Sequence, residues 1–239
     1  MKHLLILAAT AMLGACSSTQ TTPPLSQQGS AKVGVVVLVD EAPTHIHHGS
    51  LAFFDFAKAQ PTEHNYQQQL GDAVSQLLEQ ANHQAVALSP TSTLMAERSN
   101  LFTYLSADMA FEADVASELN TMASANQLDY VIAIYPKKVA VDPKSNDYVA
   151  GLGLYSYCNF GHCNAAVLSS VDARIYDASA GKAVAISALE SYQQINLNTI
   201  ELADDPSKLA PDTIDAAAQQ GVDAFVKRLT VMLQQAGMV

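Results

Sequence analysis

The chain contains no tryptophan, only three cysteines in 239 residues, and little positive charge: twelve Lys and Arg against 23 Asp and Glu, a formal net charge of −11. The shortage of basic residues excludes a nucleic-acid role, because phosphate backbones are bound by basic surface. It also excludes electrostatic attachment to anionic lipid head groups. Cys158 and Cys163 are separated by four residues, so neither the Cys-x-x-Cys of a thiol oxidoreductase nor the Cys-x-x-Cys-His of a haem attachment is present. There is no Gly-x-Ser-x-Gly elbow. Gly151-x-Gly153 lacks the third glycine and the following helix of a dinucleotide site. These absences point away from an enzyme.

No apolar run is long enough to span a bilayer as a retained helix, and the longest one has a different use. Lys2 and His3 lead an apolar stretch from Leu4 to Leu13, which ends in Leu13-Gly14-Ala15-Cys16 and switches at once to Ser17-Ser18-Thr19-Gln20. This is the pattern of a lipoprotein export signal. Small residues let the extended backbone into the peptidase cleft, and the Cys16 thiol takes the diacylglycerol. Residues 1–15 are expected to be removed, leaving eleven basic residues against 23 acidic ones, a net charge of −12. Diacylglycerol plus an acyl chain such as palmitate makes an essentially permanent anchor, since each buried methylene contributes about 0.8 kcal/mol. Ser17 rather than Asp follows the cysteine, which in enteric-type bacteria implies passage to the outer membrane. Residues 16–30 are then the lipidated cysteine and a Ser/Thr/Gln/Pro-rich tether, which as a random coil holds the domain about 20 Å from the bilayer. Residues 31–239 form a single periplasmic domain.

Within that domain the periodicities predict a mixed α/β (α+β) fold. Lys32–Asp40 reads as a strand buried on both faces. The segment 41–65 reads as a long loop with a short extended piece at 51–56, and 66–82 as an amphipathic helix. Residues 84–88 read as a strand, followed by a helix opened by Ser89-Pro90 and running to about Asn100. A helix at 111–126 and a strand at 130–135 come next. Strand candidates at 148–158, 164–176 and 183–192 make a late antiparallel meander. In the middle one Ser170, Asp172 and Arg174 face water, and the turn after it holds Gly181, free to take positive φ. A C-terminal helix from Asp212, its expected cap, runs to Ala236 and stops at Gly237.

Val33 to Val39, Gln84 to Pro90, Leu128-Asp129-Tyr130-Val131-Ile132, and Val171-Asp172-Ala173-Arg174-Ile175-Tyr176-Asp177 with Gly181-Lys182 together resemble the curli-secretion (CsgG-like) group of bacterial lipoproteins. Relatives by fold include the penicillin-binding-protein activators (LpoB-like), FlgO-type lipoproteins and the amino-terminal domain of TolB. The resemblance implies a mixed sheet with helices packed against it, no enzyme activity, and a role in envelope assembly through protein contacts. Two departures stand out. The segment 41–65 lacks the sustained alternation of a membrane barrel, and the helix at 212 extends past the meander where the activators end.

Three constellations remain. Once Cys16 is lipidated, Cys158 and Cys163 form an even pair that an oxidising compartment joins, stapling a hairpin. Tyr155, Tyr157 and Phe160 beside it are candidates for a recognition surface that binds an envelope protein or a second copy of the chain. Alternatively, these rings pack on the domain's own sheet. His45, His47 and His48, with Glu41, His64 and His162 in support, are candidate zinc or copper ligands, since His45 and His47 share a face if the segment is extended. The leading expectation is a non-catalytic, lipid-anchored protein on the periplasmic side of the outer membrane. The second is a periplasmic metal-binding lipoprotein that uses the histidine segment.

Overall fold

A computed structural model describes residues 25, 29–103, 110–140, 148–159, 162–184, 200–202 and 205–239. Cys16 and Phe160 therefore lie outside the described residues, as does most of the strand expected at 183–192. The first half runs β1 (Lys32–Val37), β2 (Thr44–His48), a 3-10 turn (Ala52–Phe54), β3 (Phe56–Ala59), α1 (Tyr66–Gln80), β4 (Gln84–Leu88) and α2 (Ser92–Glu97). It continues through β5 (Phe102–Thr103), β6 (Ala110–Phe111), α3 (Ala113–Asn126) and β7 (Tyr130–Pro136). The second half holds β8 (Val139–Ala140), β9 (Tyr148–Val149), β10 (Gly151–Asn159), β11 (His162–Asp177), β12 (Lys182–Ala183), β13 (Ile200–Leu202), a 3-10 turn (Pro206–Lys208) and α4 (Pro211–Ala236). The expected mixed α+β class is what the chain adopts.

The main sheet has the order β3-β2-β10-β11-β7-β1-β4, with β12 and β13 also paired to β11. β1 is parallel to β4 and β7, and β2 is parallel to β10. The other ladders on this path are antiparallel. β11 is long enough to serve two neighbours. Its C-terminal half pairs with β7 up to Val171 opposite Pro136, and β10 takes over at the next residue, Ser170 opposite Gly151. The sheet thus has a lower tier built on β4, β1 and β7 and an upper tier built on β3, β2 and β10.

Alternation along a strand explains the layers of the lower tier. Val33, Val35 and Val37 of β1 point one way, into a core with Tyr66, Leu70, Val74 and Leu78 of α1 and Phe225, Leu229 and Leu233 of α4. Val36, and Leu38 just beyond the strand, point the other way, against Leu94 of α2 and Val115 and Leu119 of α3. A strand covered on both sides reads as a continuous apolar run, which is what KVGVVV is. α4 follows β11 in the same direction: Ile214 and Ala217 pack with Ala165, and Arg228 donates to the carbonyls of Ser169 and Val171.

Four expectations need correction. The segment 41–65 is not chiefly loop, since it contributes β2 and β3. β2 alternates as expected for a strand, but its inward residues are His45 and His47, so polarity disguised the pattern. The helix after β4 is capped by Thr91, whose Oγ1 accepts from the Leu94 N–H, and not by Ser89. α4 starts with Ala210 at the cap and Pro211 in the first turn, so Asp212 contributes its charge to the first turn without capping. Finally, the face of β11 that carries Ser170, Asp172 and Arg174 is not wet. Ser170 is fully buried and Arg174 nearly so. The Arg174 guanidinium lies 5.8 Å from the centre of the Phe102 ring, beside Asp172 at 3.8 Å. The small β5–β6 hairpin that supplies Phe102 and Phe111 covers this face.

Candidate functional site

The groups singled out from sequence converge on the upper tier. Cys158 and Cys163 are directly opposed in the β10–β11 ladder, with Cα atoms 4.1 Å apart and sulfurs at disulfide distance. The pair closes the strand end that carries Tyr155 and Tyr157.

Parallel pairing of β2 with β10 sets Leu154 opposite His45 and Ser156 opposite His47. Partners in register share a face, so His45, His47 and Ser156 all point toward the side where Leu154 packs beneath Ile214 and Ala217 of α4. The Ser156 Oγ lies 2.8 Å from His45 Nε2 and 2.8 Å from His47 Nδ1. All three side chains are buried. A hydroxyl has one proton, so it donates to one imidazole, which must be neutral to accept, and itself accepts an N–H from the other. The Phe56 ring packs on both, at 4.9 and 5.1 Å between centroids. Burial, and secondarily the neighbouring His47, pushes the His45 pKa down to about 4. Burial also lowers that of His47, outweighing the opposing pull of Asp55 and Asp205.

His48 is on the opposite face, with its ring edge-on to Tyr155 and Nδ1 3.4 Å from the phenol oxygen. The structure therefore brings His45 and His47 together and separates His48 from them. His64 belongs elsewhere, with Asp215, and Glu41 uses its carbonyl to accept the Tyr66 N–H. Among the described residues no three His, Cys, Asp or Glu side chains gather as a metal site. A metal bound by His45 and His47 would have to displace the Ser156 hydroxyl that already engages both nitrogens. The same burial bears on nucleophilic chemistry: Ser156 has a base at hydrogen-bonding distance, but its exposure is 0%, so no substrate carbonyl reaches it in this conformation.

Tyr155 is 4% exposed and packs with Val149, Ala166 and Leu168, so it belongs to the sheet's own core and not to a recognition surface. Tyr157 stacks on it at 5.9 Å and is half-buried.

A second polar cluster ties α1 to α4. Asp215 accepts hydrogen bonds from the Thr62 and Tyr66 hydroxyls on one oxygen and meets His64 Nδ1 at 2.9 Å on the other. Burial works to raise the Asp215 pKa, but the three partners outweigh it and hold the carboxyl below its ordinary value. Tyr66 is pushed up, first by its burial and then by the adjacent carboxylate. The open depression beside this cluster, about 430 Å³, is lined by Pro61, Thr62, Glu63, His64, Pro211 and Asp212 as well as Asp215. It is shallow, and the Asp215 carboxylate on its wall is already engaged by Thr62, His64 and Tyr66. The cluster reads as a latch.

Sequence reasoning missed Ser156, Phe56 and Asp215. Ser156 depends on a parallel register between strands more than a hundred residues apart, for which no local signal exists, and Phe56 on the β2–β3 pairing of a segment that reads as loop. Asp215 carries no signal in sequence beyond being an acid in the first turns of a helix.

Comparison with known proteins adds little. No family model matches the chain, and no curated protein matches it. Among solved structures, the hypothetical protein CT253 from Chlamydia trachomatis aligns over 85% of this chain and 98% of its own, at 12% identity and a TM-score of 0.29. Likeness at that level carries no argument about fold or function.

Proposed function

We propose that this chain is a non-catalytic lipoprotein, anchored through acylated Cys16 at the periplasmic side of the outer membrane, that works in envelope assembly through protein contacts. The observation that carries the reading is the run Leu13-Gly14-Ala15-Cys16, preceded by an apolar stretch too short to span and followed at once by polar residues. The polar stretch leads into the domain at a defined place. Leu25 donates its N–H to the Ala236 carbonyl at the C-terminus of α4 and packs against the core. Eight residues then separate Cys16 from Leu25. Among the described residues no helix is long and apolar enough to cross a membrane.

The test is metabolic labelling with an alkynyl fatty acid. The unmutated protein is expected to take up label, and Cys16→Ser to take up none and to accumulate with residues 1–15 attached, because no other thiol follows a small-residue cleavage motif. Undiminished label in Cys16→Ser would overturn the anchor.

A further inference from the structure

Four large apolar side chains among the described residues have more than half their surface exposed, and three of them occupy one turn: Leu51 at 55%, Phe53 at 75% and Phe54 at 56%. The turn sits at the extreme end of the upper tier, between β2 and β3, and is mounted on the stapled hairpin through the Ser50 hydroxyl, which donates to the Cys158 carbonyl. Its polar groups are largely engaged within the protein. The Phe54 N–H donates to Leu51 O, and the Gly49 N–H to an Asp55 carboxylate oxygen. Phe53 and Phe54 pack on each other at 4.2 Å. What the turn presents outward is a convex apolar tip.

Docked protein surfaces surround their apolar centres with a rim of directional polar contacts. This tip offers few, because the Ser50 hydroxyl and one Asp55 carboxylate oxygen beside it are already bonded inward. A medium that asks only for apolar area and satisfied backbone fits it better, and a bilayer interface is such a medium. The anchor makes that medium permanently available. Leu25 docks at the C-terminus of α4, whereas the tip adjoins the end of the sheet where α4 begins. At about 1.5 Å per residue, Ile214 and Ala236 are roughly 33 Å apart, so tether and tip leave the domain at opposite ends. The nine steps from Cys16 to Leu25 span at most about 30 Å, and a domain lying along the surface brings both ends to lipid.

We propose that Leu51, Phe53 and Phe54 form a second membrane contact that inserts into the bilayer interface and lays the anchored domain flat. The inference rests on the lipid-anchor reading for the surface it meets. With a net-acidic domain behind it, the tip favours zwitterionic over anionic lipid.

Absence of tryptophan makes the test direct, because F53W introduces a single indole reporter. Acylated F53W protein is reconstituted in phosphatidylethanolamine–phosphatidylcholine vesicles with and without brominated acyl chains. The expected result is blue-shifted emission and at least twofold quenching by bromines near the glycerol level. Water-like, unquenched emission would overturn the proposal. So would a blue shift without lipid that grows with protein concentration, since the tip would then be covered by a second copy. The mature chain carrying Cys16→Ser, floated with the same vesicles at high lipid, supplies the second arm. There Phe53→Ser with Phe54→Ser is expected to lower the bound fraction by about tenfold or more and to leave the melting temperature unchanged. Equal flotation of the two acyl-free chains would count against the tip. Lack of acylation at Cys16 in mass spectra, with quenching retained in acyl-free F53W protein, would sink the anchor reading and leave the tip standing.

Discussion

At the scale of single residues, the most consequential group is Ser156 with its two histidines. The folded state holds His45 and His47 neutral, with the His45 pKa near 4 and that of His47 also below 6.5. Unfolded histidines bind protons near pH 6.5, so the unfolded chain takes up protons that the folded chain refuses. Stability is therefore full above about pH 6.5 and falls as the pH drops from there toward 4, by on the order of 3 kcal/mol for His45 alone. Denaturant melts across that window check the sign, and replacing His45 by Leu should flatten the slope. A stability that rises on acidification would contradict the assignment of neutral rings. Ser156→Ala leaves two buried ring nitrogens without a partner and is expected to cost about 1 to 3 kcal/mol at pH 7.5. The shared face of His45 and His47 was legible in the sequence, but their burial against Ser156 was not, because the segment reads as loop and Ser156 lies 109 residues from His47.

At the scale of elements, the strands and helices with strong apolar periodicity were readable, and those defined by tertiary contacts were not. β1, β4, β7 and α1 fall within a few residues of the ranges their periodicity predicts. β2 and β3 escaped because what fixes them is the parallel ladder to β10, and Gly153 is what admits that ladder. With φ of +139°, a Cβ at this position would lie 2.1 Å from the Thr44 carbonyl oxygen. Gly153→Ala is expected to destabilise the domain by more than about 3 kcal/mol and to detach the β2–β3 edge. Amide exchange should then show protection lost at 44–48 and kept at 130–136. Gly221 plays the corresponding part in α4, where a Cβ would meet the Leu168 carbonyl at 2.9 Å, and the helix seats against β11 only because it is absent. The latch on Asp215 joins the same helix to α1. Its lowered carboxyl pKa contributes stability that is present above the ordinary carboxylate range and lost as the pH falls through the folded value. Asp215→Asn keeps the shape, removes the charge and is expected to cost about 1 to 3 kcal/mol at neutral pH.

At the scale of the whole molecule, the sequence reveals the fold class more readily than the working surface. Alternating helix and strand signals imply a layered mixed sheet, and that is the architecture. The three candidate constellations fared differently. The cysteines oppose each other as their spacing suggested, and Tyr155 turned inward. The histidines divided between two faces of β2, because alternation along an extended segment pairs His45 with His47 and sends His48 away. The segment Leu51 to Phe56 reads in sequence as a short extended piece, whereas Ala52–Phe54 is a 3-10 turn that leaves Leu51, Phe53 and Phe54 exposed. Leu25 meets the C-terminal end of α4, the end from which the proposed tether would leave, and the apolar tip and stapled hairpin lie toward the other end of that helix. The central claim is the covalent anchor. Intact-mass spectrometry of the protein extracted from membranes tests it most directly. The account expects a polypeptide that begins at Cys16 and carries the added mass of a diacylglycerol, with or without a further acyl chain. A chain that retains residues 1–15, or one that begins elsewhere with no lipid mass, would contradict it.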